Sequence, residues 1–189
     1  MALNWAMLNP NRTAVPLPGE MTIMSIDSGV DLQLTIPTVP PIEPTASSGG
    51  SGGFQKMHAQ GRIWLTDQRF IFVSVPNSPF ESLSVQLHAI LSTGFHQPTF
   101  GSNYCTFELK PSPEGNLTDG TSVEIRFKDR PMFEFVSHLE KSRERAIYMR
   151  KQMAEDEEGL PTYTMPEQSS SVTMVGQVPV ENPPGYEFS

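Results

Sequence analysis

The sequence predicts an α+β domain that is mostly β: an antiparallel sheet, one long C-terminal helix over it, and a disordered tail. Three observations carry this. Residues Gly61–Val75, GRIWLTDQRFIFVSV, place two apolar runs, Arg62–Leu65 and Phe70–Val75, on either side of Thr66-Asp67-Gln68-Arg69. Both runs are too short for ordinary helices, and the second is dense in β-branched and aromatic residues, so they read as a central hairpin. From Asp129 the apolar period becomes helical, and beyond Glu158 it is lost.

Residues 1–20 are mixed and proline-bearing and read as a flexible lead-in to a domain spanning 21–153. Met21–Ile26 reads as a first strand and Asp27-Ser28-Gly29 as a turn. Val30, Leu32, Leu34 and Ile36 alternate strictly, the mark of a half-buried strand. Pro37–Gly53, with four prolines and four glycines, breaks the pattern and reads as a flexible insertion. Its SSGGSGG run is followed by Phe54-Gln55, not by the Lys-Ser/Thr that a phosphate-binding loop requires. Ser82–Leu87, Asn103–Lys110 and Ser122–Lys128 alternate as further strands, the last two forming a long-looped hairpin at the solvent edge of the sheet. Asp129 is a good helix cap and Pro131 suits a first turn. Met132, Phe133, Val136 and Leu139 follow as the buried stripe of a helix to about Met153. Glu140 and Glu144 sit among Lys141, Arg143 and Arg145, a solvated ion-paired face. Residues 154–189 form the tail, acidic and proline-containing.

Charge separates the two parts. Residues 1–150 carry 12 Lys and Arg against 14 Asp and Glu, a net −2; residues 151–189 carry 1 against 7, a net −6. Neither shows the basic excess of a nucleic-acid binder, and the tail resists an anionic membrane. The longest apolar run, Phe70–Val75, is far short of a membrane span, and the N-terminus lacks the basic and apolar regions of a signal peptide. The lone cysteine, Cys105, has no internal partner for a disulfide and falls on an apolar strand face. His58, His88, His96 and His138 are scattered without metal-ligand spacing, and no nucleophile elbow, kinase set or dinucleotide fingerprint occurs. The expectation is a non-enzyme without metal or cofactor.

The tail carries the motif with chemistry. Pro183-Pro184-Gly185-Tyr186 matches Pro-Pro-x-Tyr, the ligand of WW domains. Consecutive prolines are already extended, so docking into an aromatic groove orders little, and Tyr186 fills a second pocket. Leu160-Pro161-Thr162-Tyr163 is a weaker variant with Leu160 in place of the first proline. Tyr163 and Tyr186 lie 23 positions apart, about 26 Å for a flexible coil, enough to bridge tandem WW domains.

The strand runs, the C-terminal helix and the GRIWLTDQRFIFVS hairpin resemble a GRAM domain of the PH-like superfold. More narrowly, the chain resembles the WW-domain-binding protein 2 family. Met1-Ala2-Leu3-Asn4, Gly61–Ser74, Gln97-Pro98-Thr99-Phe100-Gly101-Ser102-Asn103-Tyr104 and the final Pro-Pro-Gly-Tyr carry the likeness. The Pro37–Gly53 insertion and the tail's scarcity of Pro-Pro-x-Tyr copies depart from it. The resemblance implies a PH-like antiparallel β-sandwich or barrel capped by the helix. It further implies an adaptor that binds WW-domain proteins, coactivators or HECT-type ubiquitin ligases, in nucleus and cytoplasm. Chromatin would be reached indirectly, as by a transcriptional coactivator. The alternative is a phosphoinositide-recruited adaptor linking cargo to a WW-domain ubiquitin ligase. Weak phosphoinositide binding would fall to Lys56, Arg62 and Arg69.

Overall fold

The computed structural model describes residues 2–38, 53–112, 115–128, 130–158, 173–175 and 178–180. The chain divides into two units, Met1–Glu155 and Asp156–Ser189. The first holds β1 (Ala2–Leu3), β2 (Thr22–Pro37), β3 (Phe54–Thr66), β4 (Arg69–Ser74), β5 (Ser82–Gln86), β6 (Ile90–His96), β7 (Tyr104–Leu109) and β8 (Ser122–Phe127). The helix α1 (Met132–Glu158) follows, five residues longer than its expected end at Met153. The strands run antiparallel in the order β1-β5-β4-β3-β2-β8-β7-β6. Two meanders, β2–β5 and β6–β8, are thus joined through the β2–β8 pair into one curled sheet, a half-barrel with α1 as its helix.

The curl is built into β2. Ile26 pairs with Ile63 and Val30 with Gly61, so β2 carries two extra residues at this point, and Gly29 takes φ +71°. Asp27-Ser28-Gly29 is therefore a bulge inside one bent strand, and the expected turn between two strands is corrected. Residues that tolerate positive φ serve a bulge as well as a turn. Opposite the bulge, a Cβ on Gly61 would collide with the Val73 carbonyl oxygen and lie 2.7 Å from the Phe72 ring. The last β2–β3 pair is Pro37 with Phe54, and the Thr38 N–H donates to the Gly53 carbonyl at 2.7 Å. The Pro37–Gly53 insertion thus sits at a hairpin tip; its residues 39–52 lie outside the described residues.

The core is aromatic at its centre. The Phe135 ring from α1 meets Phe127 at 5.3 Å and Phe70 at 6.3 Å, and Phe70 meets Phe107 at 5.3 Å, all edge to face. Leu32, Leu34, Ile63, Leu65, Val123 and Ile125 close around them. Along α1 the buried apolar residues are Met132, Phe135, Val136 and Leu139. Phe133, expected in that stripe, is 71% exposed and touches only the margin, at Phe95. One residue past Met132 is a rotation of about 100°, which turns Phe133 off the buried face.

The β7–β8 hairpin is interior rather than at the edge, because β8 pairs with β2 as well as β7 and β6 lies outside β7. The strand β6 gives no periodic signal: it is irregular between Ile90 and Ser92 and holds Gly94. In the second unit, β9 (Thr173–Val175) and β10 (Val178–Val180) pair antiparallel in a stretch that reads as structureless in the sequence.

Residues 2–20, which read as flexible, run along the β4–β5 side of the sheet. Ala2 and Leu3 pair with Ser84 and Leu83. Asn4 turns the chain at φ +63°, its Oδ1 accepting from the Glu81 and Ser82 N–H groups. Leu8 and Ala14 form a bridge, and Arg12 donates to the Ser74 carbonyl at 3.0 Å. Ile71 and Val73 of β4 lie outside the main core, yet each is buried, on the strand face of Arg69, to which this segment is tied by the Val15 carbonyl and Glu20.

Candidate functional site

The three cations expected to meet a phosphate do not converge. Lys56 and Arg62 share the outer row of β3, six residues or about 20 Å apart. Lys56 is exposed. Arg62 leans over the Trp64 ring at 5.8 Å, with Nη2 3.4 Å from the Asn11 carbonyl. Arg69 is committed elsewhere. Its Nε donates to Glu20 Oε1 at 2.8 Å, and its Nη2 to Glu20 Oε2 and to the Val15 carbonyl, both at 2.9 Å. Its side chain is 9% exposed and that of Glu20 is 0%. A bidentate pair this dry leaves Arg69 no free donor fork for a phosphate.

The polar tetrad of the central hairpin is therefore a clasp. Thr66 donates its hydroxyl to Glu20 Oε1 at 2.7 Å. Asp67 Oδ1 accepts from the Met21 N–H at 2.9 Å, and the Asp67 N–H donates to the Met21 carbonyl at 3.0 Å. The Leu17 N–H donates to Glu20 Oε2 at 2.6 Å. Burial opposes ionisation of Glu20, but the hydrogen bonds from Arg69, Leu17 and Thr66 outweigh it and hold its pKa below the usual carboxylate value. Sequence reading took Arg69 for a candidate ligand and missed Glu20, Thr66 and Asp67. Their signal was Thr-Asp-Gln-Arg itself, four polar residues where a two-residue turn suffices.

Among the described residues no three His, Cys, Asp or Glu side chains cluster as metal ligands would. Burial, helped by the charge of Glu140, pushes the Cys105 thiol up to about 12, so little thiolate forms near neutral pH. His96 stacks on Tyr104 at 4.6 Å and its Nε2 is 2.9 Å from Thr106 Oγ1. Arg126 lies over the same Tyr104 ring at 4.4 Å and donates to the Ser102 carbonyl at 3.3 Å. This stack braces the Gln97–Asn103 loop, whose Phe100 is 92% exposed.

A groove of about 980 Å³ opens where the N-terminal segment, the β4–β5 hairpin and the second half of α1 meet. Trp5 and Leu17 line it from the N-terminal segment, Met149, Arg150 and Met153 from α1. His88 lines it too, its pKa lowered by burial and by the charge of Arg150. Pro183, Pro184 and Tyr186, and the weaker Leu160, Pro161 and Tyr163, lie outside the described residues.

No family model matches the chain. A UPF0664 stress-induced protein of Schizosaccharomyces pombe is 27% identical over 78 residues, 41% of this chain and 45% of that protein. The alignment thus spans less than half the length of that relative. The N-terminal PH domain of Vps36 superposes with a TM-score of 0.53 at 17% identity, covering 78% of this chain and 96% of that domain. These matches do not establish membership of the WW-domain-binding protein 2 family. The Vps36 superposition agrees with the strand order and the long C-terminal helix in showing a PH-like fold.

Proposed function

We propose that the protein is a non-enzymatic adaptor that recruits WW-domain proteins through Pro183, Pro184 and Tyr186. The observation that carries this reading is the Pro-Pro-Gly-Tyr sequence itself, placed 25 residues beyond the end of α1. A PH-like domain supports it as a rigid platform of a kind suited to protein or lipid partners. The aromatic core and the buried Glu20–Arg69 clasp hold that platform together. With Arg69 paired to Glu20 and Lys56 about 20 Å from Arg62, the anionic-lipid alternative lacks a convergent basic site at these three positions. The partner classes that follow are coactivators and HECT-type ubiquitin ligases in nucleus or cytoplasm, with chromatin reached through them.

Calorimetric titration of a Pro-Pro-x-Tyr-selective WW domain into the full chain tests the reading. Binding is expected for the native chain and a loss of at least tenfold for Tyr186→Ala. Equal affinity in the two would overturn it. Phosphorylation of Tyr186 is expected to weaken binding as well, because a dianion enters a pocket shaped for a phenol.

A further inference from the structure

The second half of α1 does not follow the pattern of its surroundings. Ser142, Ala146, Met149, Arg150 and Met153 recur at helical spacing and form one face, of which Ser142 is buried and Ala146 packs on the core. Beyond Ala146 this face leaves the core and borders the groove, where Met149 and Met153 are exposed. A helix that ended its work at the core would turn charge outward here. This one turns methionine outward, the side chain best able to mould itself to a partner.

The cations on this face are unneutralised. Arg145 has Lys141 and Met149 four residues away and Ser142 and Tyr148 three away; Arg150 has Ala146, Ala154, Ile147 and Met153 at the same offsets. No carboxylate occupies the helical positions that would pair with either guanidinium. Among the described residues neither forms a salt bridge. Among the described residues the ion pair on α1 is Lys151 with Glu155, and Arg143 donates to the Ile90 and Leu91 carbonyls. The other charges of the groove cancel or are engaged: Arg69 with Glu20, and Asp67 with the Met21 N–H. What the groove presents is two free guanidiniums beside an apolar lining of Trp5, Leu17, Met149 and Met153.

We infer that this groove is a docking site for an acidic amphipathic peptide of a partner protein, its apolar side chains between Trp5 and Met153 and its carboxylates on Arg145 and Arg150. From Arg145 to Met153 the helix advances eight positions and rises about 12 Å, which suits two turns of a helix or four extended residues. Concavity favours a peptide over a bilayer, since a flat surface cannot reach the buried Arg69 that lines the groove. The inference deepens the adaptor reading, and rests on it, by naming the chemistry of the folded domain's own partner.

The test selects displayed 12-residue random peptides on the full chain and measures the enriched peptides by fluorescence anisotropy. Enriched sequences are expected to hold two or more Asp or Glu around Leu, Phe or Trp. Their affinity is expected to fall at least tenfold in Arg145→Glu/Arg150→Glu and in raised salt, and to stay unchanged in Lys128→Glu. Arg145 and Arg150 are exposed, so an unaltered melting temperature should accompany the loss. Enrichment without acidic residues, or equal binding by the charge-reversed chain, would overturn the proposal. So would a charge reversal that abolishes binding to phosphatidylserine vesicles while leaving peptide affinity intact, which assigns the groove to membrane. Tyr186→Ala is expected to keep the peptide and lose the WW domain, and the arginine variant the reverse, so failure of either reading is seen separately.

Discussion

The strands β4 and β8 lie in the same sheet and solve the same problem differently. In β8 the pattern is simple: Val123, Ile125 and Phe127 face the core and Ser122, Glu124 and Arg126 face outward, half-exposed. In β4 every residue from Arg69 to Ser74 is buried. Phe70 and Phe72 belong to the core; Ile71 and Val73 face the other way and need a cover of their own. Residues 4–20 supply it, held by Glu20 on Arg69 and Asp67 on Met21. An alternating strand is finished by its sheet, whereas a continuously apolar one demands a second layer. The Thr66–Arg69 turn is the place where that second layer is fastened.

The two ion pairs give the sharpest contrast. Arg69–Glu20 is dry and bidentate, while Arg126–Glu124, at 2.7 Å, has side chains 40% and 27% exposed. Removing one partner of a buried pair leaves a stranded charge. Arg69→Ala is therefore expected to cost about 3–5 kcal/mol in urea unfolding and to open residues 4–20 to limited proteolysis. A cost under about 1 kcal/mol would show that the clasp is dispensable. Acid should reach the same state. The folded-state pKa of Glu20 is depressed, so its contribution is whole above the unfolded carboxylate value of about 4.3 and is lost as pH falls through the lower folded value. Proteolysis of the N-terminal segment should rise in that acid window in the native chain, and the step should vanish in Arg69→Ala.

Ile71→Ala tests the cover itself. A cost of about 2–5 kcal/mol is expected if the second face of β4 is packed as a core; a value near zero would mean it is merely shaded. Glu124→Gln, on the alternating strand, is expected to change stability by about 0–1 kcal/mol. The smallest effect concerns Cys105, which should react with maleimide at pH 8 only as fast as the domain unfolds. Rapid labelling of the native chain would contradict its burial and its raised pKa.

What was legible in the sequence follows the same division. Strict alternation in Val30–Ile36 and Ser122–Lys128 gave the strands, since each has one wet face. Helical spacing of Met132, Val136 and Leu139 gave α1, and Phe133 was misplaced because two adjacent apolar residues cannot be ranked without the helix's partner. The cover at residues 4–20 was not legible: it packs through a small hairpin and backbone hydrogen bonds, which leave no period. The bulge at Asp27–Gly29 used turn residues for a bend. Missing β6 made β7–β8 look like an edge. Of the expected site residues, Arg69 was read from its charge, and the Glu20 that neutralises it lies 49 positions away.

The most direct measurement of the central claim is the affinity of one WW domain for three full-length chains: native, Arg69→Ala and Tyr186→Ala. We expect native and Arg69→Ala to bind alike, even with the N-terminal segment released, and Tyr186→Ala to lose at least tenfold. Loss in Arg69→Ala with retention in Tyr186→Ala would place recognition at the central hairpin and contradict the assignment to the tail.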